Sequence, residues 1–351
     1  MASATHQVEQ QHTSQENFVR EMYPAVTQPS AGIFIVVSLF LVCFIVGVCG
    51  TSSTLTSIYG CGKPPFKRLN LCRKGSNTKL FVTALCLIDT IMLLSLPSSI
   101  ADNLIGFWIF GNVACKVHQL FASLGRMSSS IMIAGMTIDW YYVIAYPNRT
   151  RPTSKRTIML VIACLFLTSV LILMPIMIYA DAQELQIFES NRTDGSVLKV
   201  RIYKCVDVMP TDLLFWFTGI TFAAGYFIPL LVVAVLSASF SQLHKHSEWH
   251  SNEFNQRTRR VTGYVITIAT CYFLCWTPYW LGVIYVSYVD LVESRTIQAL
   301  KESTESTVLL LYGAHLLPYL NASINWIFYA RLVNALRQRL SEEKIDLLCV
   351  Q

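Results

Sequence analysis

Seven mostly apolar runs, each close to the length that crosses a lipid bilayer, limit what this chain can fold into. They lie near 32–58, 80–101, 113–138, 157–180, 213–240, 261–287 and 306–330. A spanning helix needs about 20 predominantly apolar residues. Inside lipid the backbone must satisfy its own hydrogen bonds, so such runs become helices. Composition agrees. Apolar residues make up 53% of the chain and charged residues 14%, against roughly 25% charged in a soluble domain. The expected fold is an all-α membrane protein, a bundle of seven transmembrane helices in one domain over 32–330. Residues 1–31 read as a polar, disordered outer tail with no cleavable leader. Residues 331–351 read as a cytoplasmic tail. In it Leu332, Leu336 and Leu340 alternate with Arg331, Arg337 and Arg339, the pattern of a short amphipathic helix on the inner membrane surface.

Basic residues set the orientation. The segments after the first, third, fifth and seventh runs hold 18 Lys and Arg, and the opposite side holds seven. Cytoplasmic loops carry that excess, so the N-terminus is expected outside, the C-terminus in the cytoplasm and the protein at the plasma membrane. The net charge of +6 is then a topology signal and gives no support to a nucleic-acid partner. The partner it does imply is the lipid bilayer. The third run is the least apolar, with Ser128, Ser129 and Ser130 in sequence, so its helix belongs inside the bundle.

Most of the 11 cysteines lie in apolar runs, where a thiol acts as a small hydrophobe. Cys115 and Cys205 both fall on the outer, oxidising side, either as a disulfide or as two free thiols. Asn191-Arg192-Thr193 forms an N-glycosylation sequon on that side. The seven histidines are scattered without a metal or nucleophile cluster, so an enzyme is not expected. The chain also lacks the internal repeats and matched broken helices of a transporter, which stands as a less favoured alternative.

Several short motifs carry more. Cys275-Trp276-Thr277-Pro278 lies in the sixth run. Trp108 and Phe110-Gly111 precede Cys115, and 24 residues beyond it stands Asp139-Trp140-Tyr141. Pro147 follows in the second inner loop. The seventh run contains Asn321-Ala322-Ser323-Ile324-Asn325-Trp326-Ile327-Phe328-Tyr329, and Asp89, Pro175 and Pro229 mark helices two, four and five. In this order the motifs resemble those of rhodopsin-like G-protein-coupled receptors across residues 32–342. Within that family, Pro97, the Arg259-Arg260-Val261-Thr262 start of the sixth helix and a short third inner loop resemble peptide receptors of the somatostatin, opioid and allatostatin-C kind.

The resemblance implies an extracellular ligand, here a neuropeptide, and a heterotrimeric G protein inside. It implies a Cys115–Cys205 disulfide over a pocket lined by His118, Gln119, Ala122, Arg126, Tyr279, His315 and Tyr319. Trp276, Pro278, Asp139, Trp140, Tyr141, Asn325 and Tyr329 would form the activation switch. Asp89, Ser129, Asn321 and Asn325 would form either a sodium site or a structural polar network. No other cofactor is implied. Ala122 stands where amine receptors, and the somatostatin and opioid groups, carry an aspartate, which argues against a monoamine and leaves the peptide subtype open.

The departures are as informative. Trp140 replaces the Arg of Asp-Arg-Tyr, and indole has one donor and no charge. Trp326 replaces the Pro of the seventh-helix motif, restoring a backbone donor, so that helix is expected to be straighter. Thr51, Phe166 and Ser237 replace the usual Asn, Trp and Tyr of helices one, four and five. These changes keep open a receptor-like protein with weak or no coupling, a decoy or ligand-sequestering form. Arg126 has two readings: an internal cation paired with Asp89, or a pocket-floor group that binds an acidic part of the ligand.

Overall fold

The computed structural model describes residues 20–22, 31–60, 77–146, 154–191, 197–246, 252–293 and 305–349. The rest of the outer tail, most of the first inner loop, Pro147 and the Asn191 side chain lie outside the described residues. Ten α-helices make the seven passes. They are α1 (Ala31–Gly60), α2 (Thr78–Leu93) with α3 (Leu96–Ile105), α4 (Gly111–Ala145), and α5 (Lys155–Ile172) with α6 (Met174–Tyr179). Then follow α7 (Thr211–Phe222) joined to α8 (Ile228–His246), α9 (Asn252–Glu293) and α10 (Glu305–Cys349).

Proline explains where passes are broken. Its ring removes a donor and crowds the preceding turn. Pro97 falls in the first turn of α3 and Pro175 in that of α6, so passes two and four are each interrupted there. A π-helical turn, Ala223–Phe227, joins α7 to α8 just ahead of Pro229. Pro278 and Pro318 lie inside α9 and α10 without ending them. α10 also runs through Trp326 unbroken, and the segment read as a separate amphipathic helix continues it without interruption. Leu332 and Leu336 are buried in the bundle's core cluster, so the inner end of that apolar stripe meets protein.

Five passes are long and apolar enough to cross a membrane on composition alone, among the described residues. α4, 35 residues long, is more polar because it runs through the middle. It packs on α2, α5, α6, α8 and α9 and buries Ser123, Ser128, Ser129, Ser130 and Trp140. Around it the outward faces stay apolar: Leu41, Val42 and Ile45 on α1, Leu160, Leu167 and Leu171 on α5, and Trp216, Ile228 and Val235 on α7 and α8 are exposed. Such a surface suits lipid and not water. The chain is a multi-pass membrane protein.

The outer side adds a small sheet. β2 (Ala180–Asn191) and β3 (Val197–Asp207) form an antiparallel hairpin that pairs Ala180 with Asp207 and Ala182 with Cys205. A third strand, β1 (Arg20–Met22), lies parallel to β3 on its free edge. The tail read as disordered therefore contributes one short strand.

Trp326 has a structural counterpart in Gly50. A Cβ added to Gly50 would fall within the Trp326 indole, and Thr54 Oγ1 donates to the Trp326 carbonyl at 3.5 Å. α1 and α10 thus meet through a glycine that makes room for the ring. Overpacking of this kind costs about 1–3 kcal/mol. Gly50→Ala should lower the thermal midpoint of the purified protein accordingly. Adding Trp326→Leu, which removes the obstructing ring, should restore it. A Gly50→Ala midpoint equal to the parent's would show that the contact is not close.

Candidate functional site

The outer mouth of the bundle gathers side chains from five helices and the hairpin. Cys115, in the first turns of α4, and Cys205, on β3, form a disulfide with Cα atoms 5.5 Å apart. The Trp108 backbone N–H donates to the Tyr203 carbonyl at 2.7 Å. Lys116 Nζ donates to the carbonyls of Met177 (2.8 Å) and Ile178 (3.0 Å). These bonds hold the hairpin's base beside α4, so one wall of the mouth is fixed covalently.

Below the hairpin, α4 presents His118 and Arg126. His118 Nδ1 shares a 2.9 Å hydrogen bond with Ser98 of α3, and its ring lies 5.4 Å from Trp108. The Arg126 guanidinium donates to the Tyr279 hydroxyl and to Ser123 Oγ, and its carbon lies 5.0 Å from the Tyr279 ring centre. Tyr279 meets His315 edge-on at 5.1 Å and Trp276 at 5.6 Å. The Tyr319 hydroxyl pairs with Ser95 at 3.3 Å, and its ring packs edge-on against Phe40 at 5.6 Å. Arg126, Tyr279, Trp276 and His315 are thus one contiguous cluster, with His118 and Tyr319 held beside it by serines of the second pass. Gln119 and Ala122 are half-buried on α4, and no hydrogen bond or ring contact joins them to the cluster among the described residues. Asp207, at the end of β3, is open at the mouth. Burial pushes its carboxyl above the usual range, and the Arg126 charge pulls it back.

A second polar group lies one level deeper. Asp89 accepts from Ser129 Oγ (3.4 Å), Asn325 Nδ2 (3.1 Å) and the Tyr329 hydroxyl (3.0 Å). Of the four residues read as a sodium site or network, three are joined; Asn321 is buried nearby with neither side-chain atom bonded in this arrangement. Arg126 and Asp89 are not paired, so the internal-cation reading of Arg126 is not the arrangement formed. In this arrangement the three partners direct protons at the carboxylate, while Asn321 Oδ1 and Asn325 Oδ1, buried and without a bonded partner among the described residues, keep lone pairs of the kind a hard cation takes. Tyr329, read as part of the switch, proves to be a member of this network. The sequence carried the signal: Asn321, Asn325 and Tyr329 recur every four residues, which places them on one helix face.

At the inner end, the fully buried Trp140 donates from Nε1 to Thr262 Oγ1 at 2.9 Å, and Thr262 in turn donates to the Thr258 carbonyl. Asp139 accepts from Thr78 at 3.2 Å. Tyr141 packs against Phe240 with ring centres 6.0 Å apart. Trp276 stacks on Tyr272 at 5.4 Å, and the Tyr272 hydroxyl donates to the Arg126 carbonyl at 2.6 Å. The sequence reading quoted Thr262 in the Arg259–Thr262 start of the sixth helix without a contact role, and did not name Tyr272, Ser123, Ser95 or Ser98.

The family described as 7 transmembrane receptor (rhodopsin family) matches residues 70–329. The chain belongs to the rhodopsin family of receptors. Neuropeptide receptor 18 of Caenorhabditis elegans is 27% identical over 324 residues, 88% of this chain and 67% of that protein. Human neuropeptides B/W receptor type 1 is 26% identical over 305 residues, covering 85% and 83%. Mouse somatostatin receptor type 2 is 25% identical over 302 residues, covering 84% and 72%. This receptor is therefore a signalling protein and not an enzyme.

The Asp89 network makes a testable statement. Asp89→Leu strands the buried donors of Asn325 and Tyr329, each costing about 1–3 kcal/mol. Tyr329→Phe removes one donor and should cost nearer 1 kcal/mol. Thermal midpoints of the purified receptor should rank parent, Tyr329→Phe, Asp89→Leu. The parent's midpoint should be equal in sodium and choline chloride at matched ionic strength. A rise confined to sodium would show that a cation displaces these donors.

Proposed function

We propose that this receptor binds an extracellular peptide in its outer mouth and passes the signal to a heterotrimeric G protein at its inner face. In this reading the N-terminus lies outside, the C-terminus in the cytoplasm, and the receptor spans the plasma membrane. The observation that carries it is the disulfide-tied hairpin beside a polar and aromatic cluster that joins α4, α9 and α10. A wide mouth edged by strands offers both side-chain pockets and backbone groups, as an extended peptide requires. The named relatives, receptors for neuropeptides and somatostatin, support the ligand class. The excess of Lys and Arg after odd-numbered passes supports the orientation. Acidic residues outnumber basic ones on the outer side, 14 to seven, which favours approach of a peptide with a net positive charge.

Inside, the tie between the third and sixth passes is neutral. Trp140 holds Thr262 by a single buried hydrogen bond, where the family's arginine would use charge. One observation favours a second reading, a receptor that binds ligand but couples weakly: the indole lies wholly in the core and offers no charge to a partner.

Nucleotide exchange on G protein in membranes, basal and peptide-evoked, separates the two. Thr262→Val removes the Trp140 bond while keeping the volume. Loss of about 0.5–1.5 kcal/mol from the resting state should raise basal exchange roughly two- to twelvefold. Trp140→Arg should raise the response evoked by a synthetic neuropeptide library. If membranes of both variants retain peptide yet drive no exchange, the coupling assignment fails and the sequestering reading replaces it.

A further inference from the structure

Arg126 is a cation set low in the mouth without a carboxylate to answer it. Among the described residues no ion pair joins it to any acid; the one pair among them, Lys204 to Asp102 at 3.6 Å, lies at the outer rim. The guanidinium spends hydrogen bonds on two neutral hydroxyls, Tyr279 and Ser123, and has more N–H donors than these use. Its backbone is pinned from the other side by Tyr272, and the Tyr279 ring supports its charge. A cation this deep is costly, and a built site with leftover donors is what makes it useful. Asp207 at the mouth feels its charge without reaching ion-pair distance.

We infer that Arg126 is the anchor for a carboxylate of the peptide, either a free C-terminus or an Asp or Glu side chain, bound at the guanidinium beside Tyr279 and His315. This rests on the peptide-receptor reading and narrows it. A guanidinium binds a carboxylate through two parallel N–H···O bonds, and the aromatic wall excludes competing water. The peptide's basic residues then stay among the acids of the outer rim, while its acidic tip reaches the one cation beneath. The hairpin's Asp207 repels that tip on the way in and so limits the preference that Arg126 creates.

The test uses the full-length receptor in detergent, immobilised and incubated with a synthetic hexapeptide library made in free-acid and C-terminally amidated forms. Retained peptides are identified by mass spectrometry. Peptides bearing a carboxylate should be enriched about tenfold over neutral, amidated ones. Arg126→Gln should abolish that preference, bringing the ratio of carboxylate-bearing to neutral retained peptides to about one. Arg126→Lys, which keeps the charge but not the planar fork, should retain part of it and serves if the glutamine variant does not fold. Asp207→Asn should increase the preference. Retained peptides with no carboxylate bias, or a bias that survives Arg126→Gln, would overturn the anchor. Retention of no peptide at all would instead overturn the peptide-receptor reading beneath it.

Discussion

A carboxylate buried in a membrane bundle has to be surrounded by donors, and Asp89 is answered from two other passes at once. Ser129 comes from α4, and Asn325 and Tyr329 come from α10, two turns of one face. An ionised group left unpaired in such surroundings is prohibitively expensive. The positions of α2, α4 and α10 relative to one another are therefore coupled through one side chain. Other features follow from that placement. With α10 held inward at Tyr329, its outward face brings Trp326 against α1, and α1 can approach only because Gly50 lacks a side chain.

Two tryptophans stand where the family uses a kink and a charge, and both are accommodated by packing. Trp326 supplies a backbone donor that proline lacks, and α10 runs on through it as a single helix. Trp140 turns its ring into the core and spends its sole donor on Thr262. Each exchange replaces an electrostatic or steric device with buried apolar area, which is non-directional and proportional to the surface removed from solvent. Burying Trp140 also draws α4 and α9 together, because the partner hydroxyl sits on the opposite helix.

Much of this was legible in the sequence where the property belongs to one helix. The apolar runs gave the passes, and Ser128 to Ser130 gave the interior position of α4. The outer cysteines were legible only with the family resemblance, since either one alone is a small thiol. What remained hidden belongs to pairs of helices. Periodicity shows which face a residue occupies but not what the neighbour places opposite. That is why Arg126 kept two partners open and Thr262 was quoted without its partner Trp140. Tyr329 was read as a switch residue alone because the family pattern assigned it to a moving role, while its spacing from Asn325 already set it on the Asp89 face. β1 was hidden for a different reason: a three-residue edge strand in a polar tail has no pattern of its own and exists only because β3 offers an unpaired edge.

The third and sixth passes are tied at both ends, and this constrains how they can move. Near the outer side Arg126 bonds to Tyr279 through its side chain and to Tyr272 through its carbonyl. Toward the inner side Trp140 bonds to Thr262. Along α4 the two ties are about 21 Å apart, and along α9 about 25 Å, at 1.5 Å per residue. Trp276 lies between Tyr272 and Tyr279, stacked on one and edge-on to the other. A rigid α9 cannot tilt about its middle without lengthening at least one tie. The outer tie has two hydrogen bonds and a ring contact, and the inner one a hydrogen bond between neutral groups beside the buried Trp140 ring. Displacement of the Arg126 cluster is therefore carried along α9 to the Trp140 contact, at the end that faces the cytoplasm in the proposed orientation.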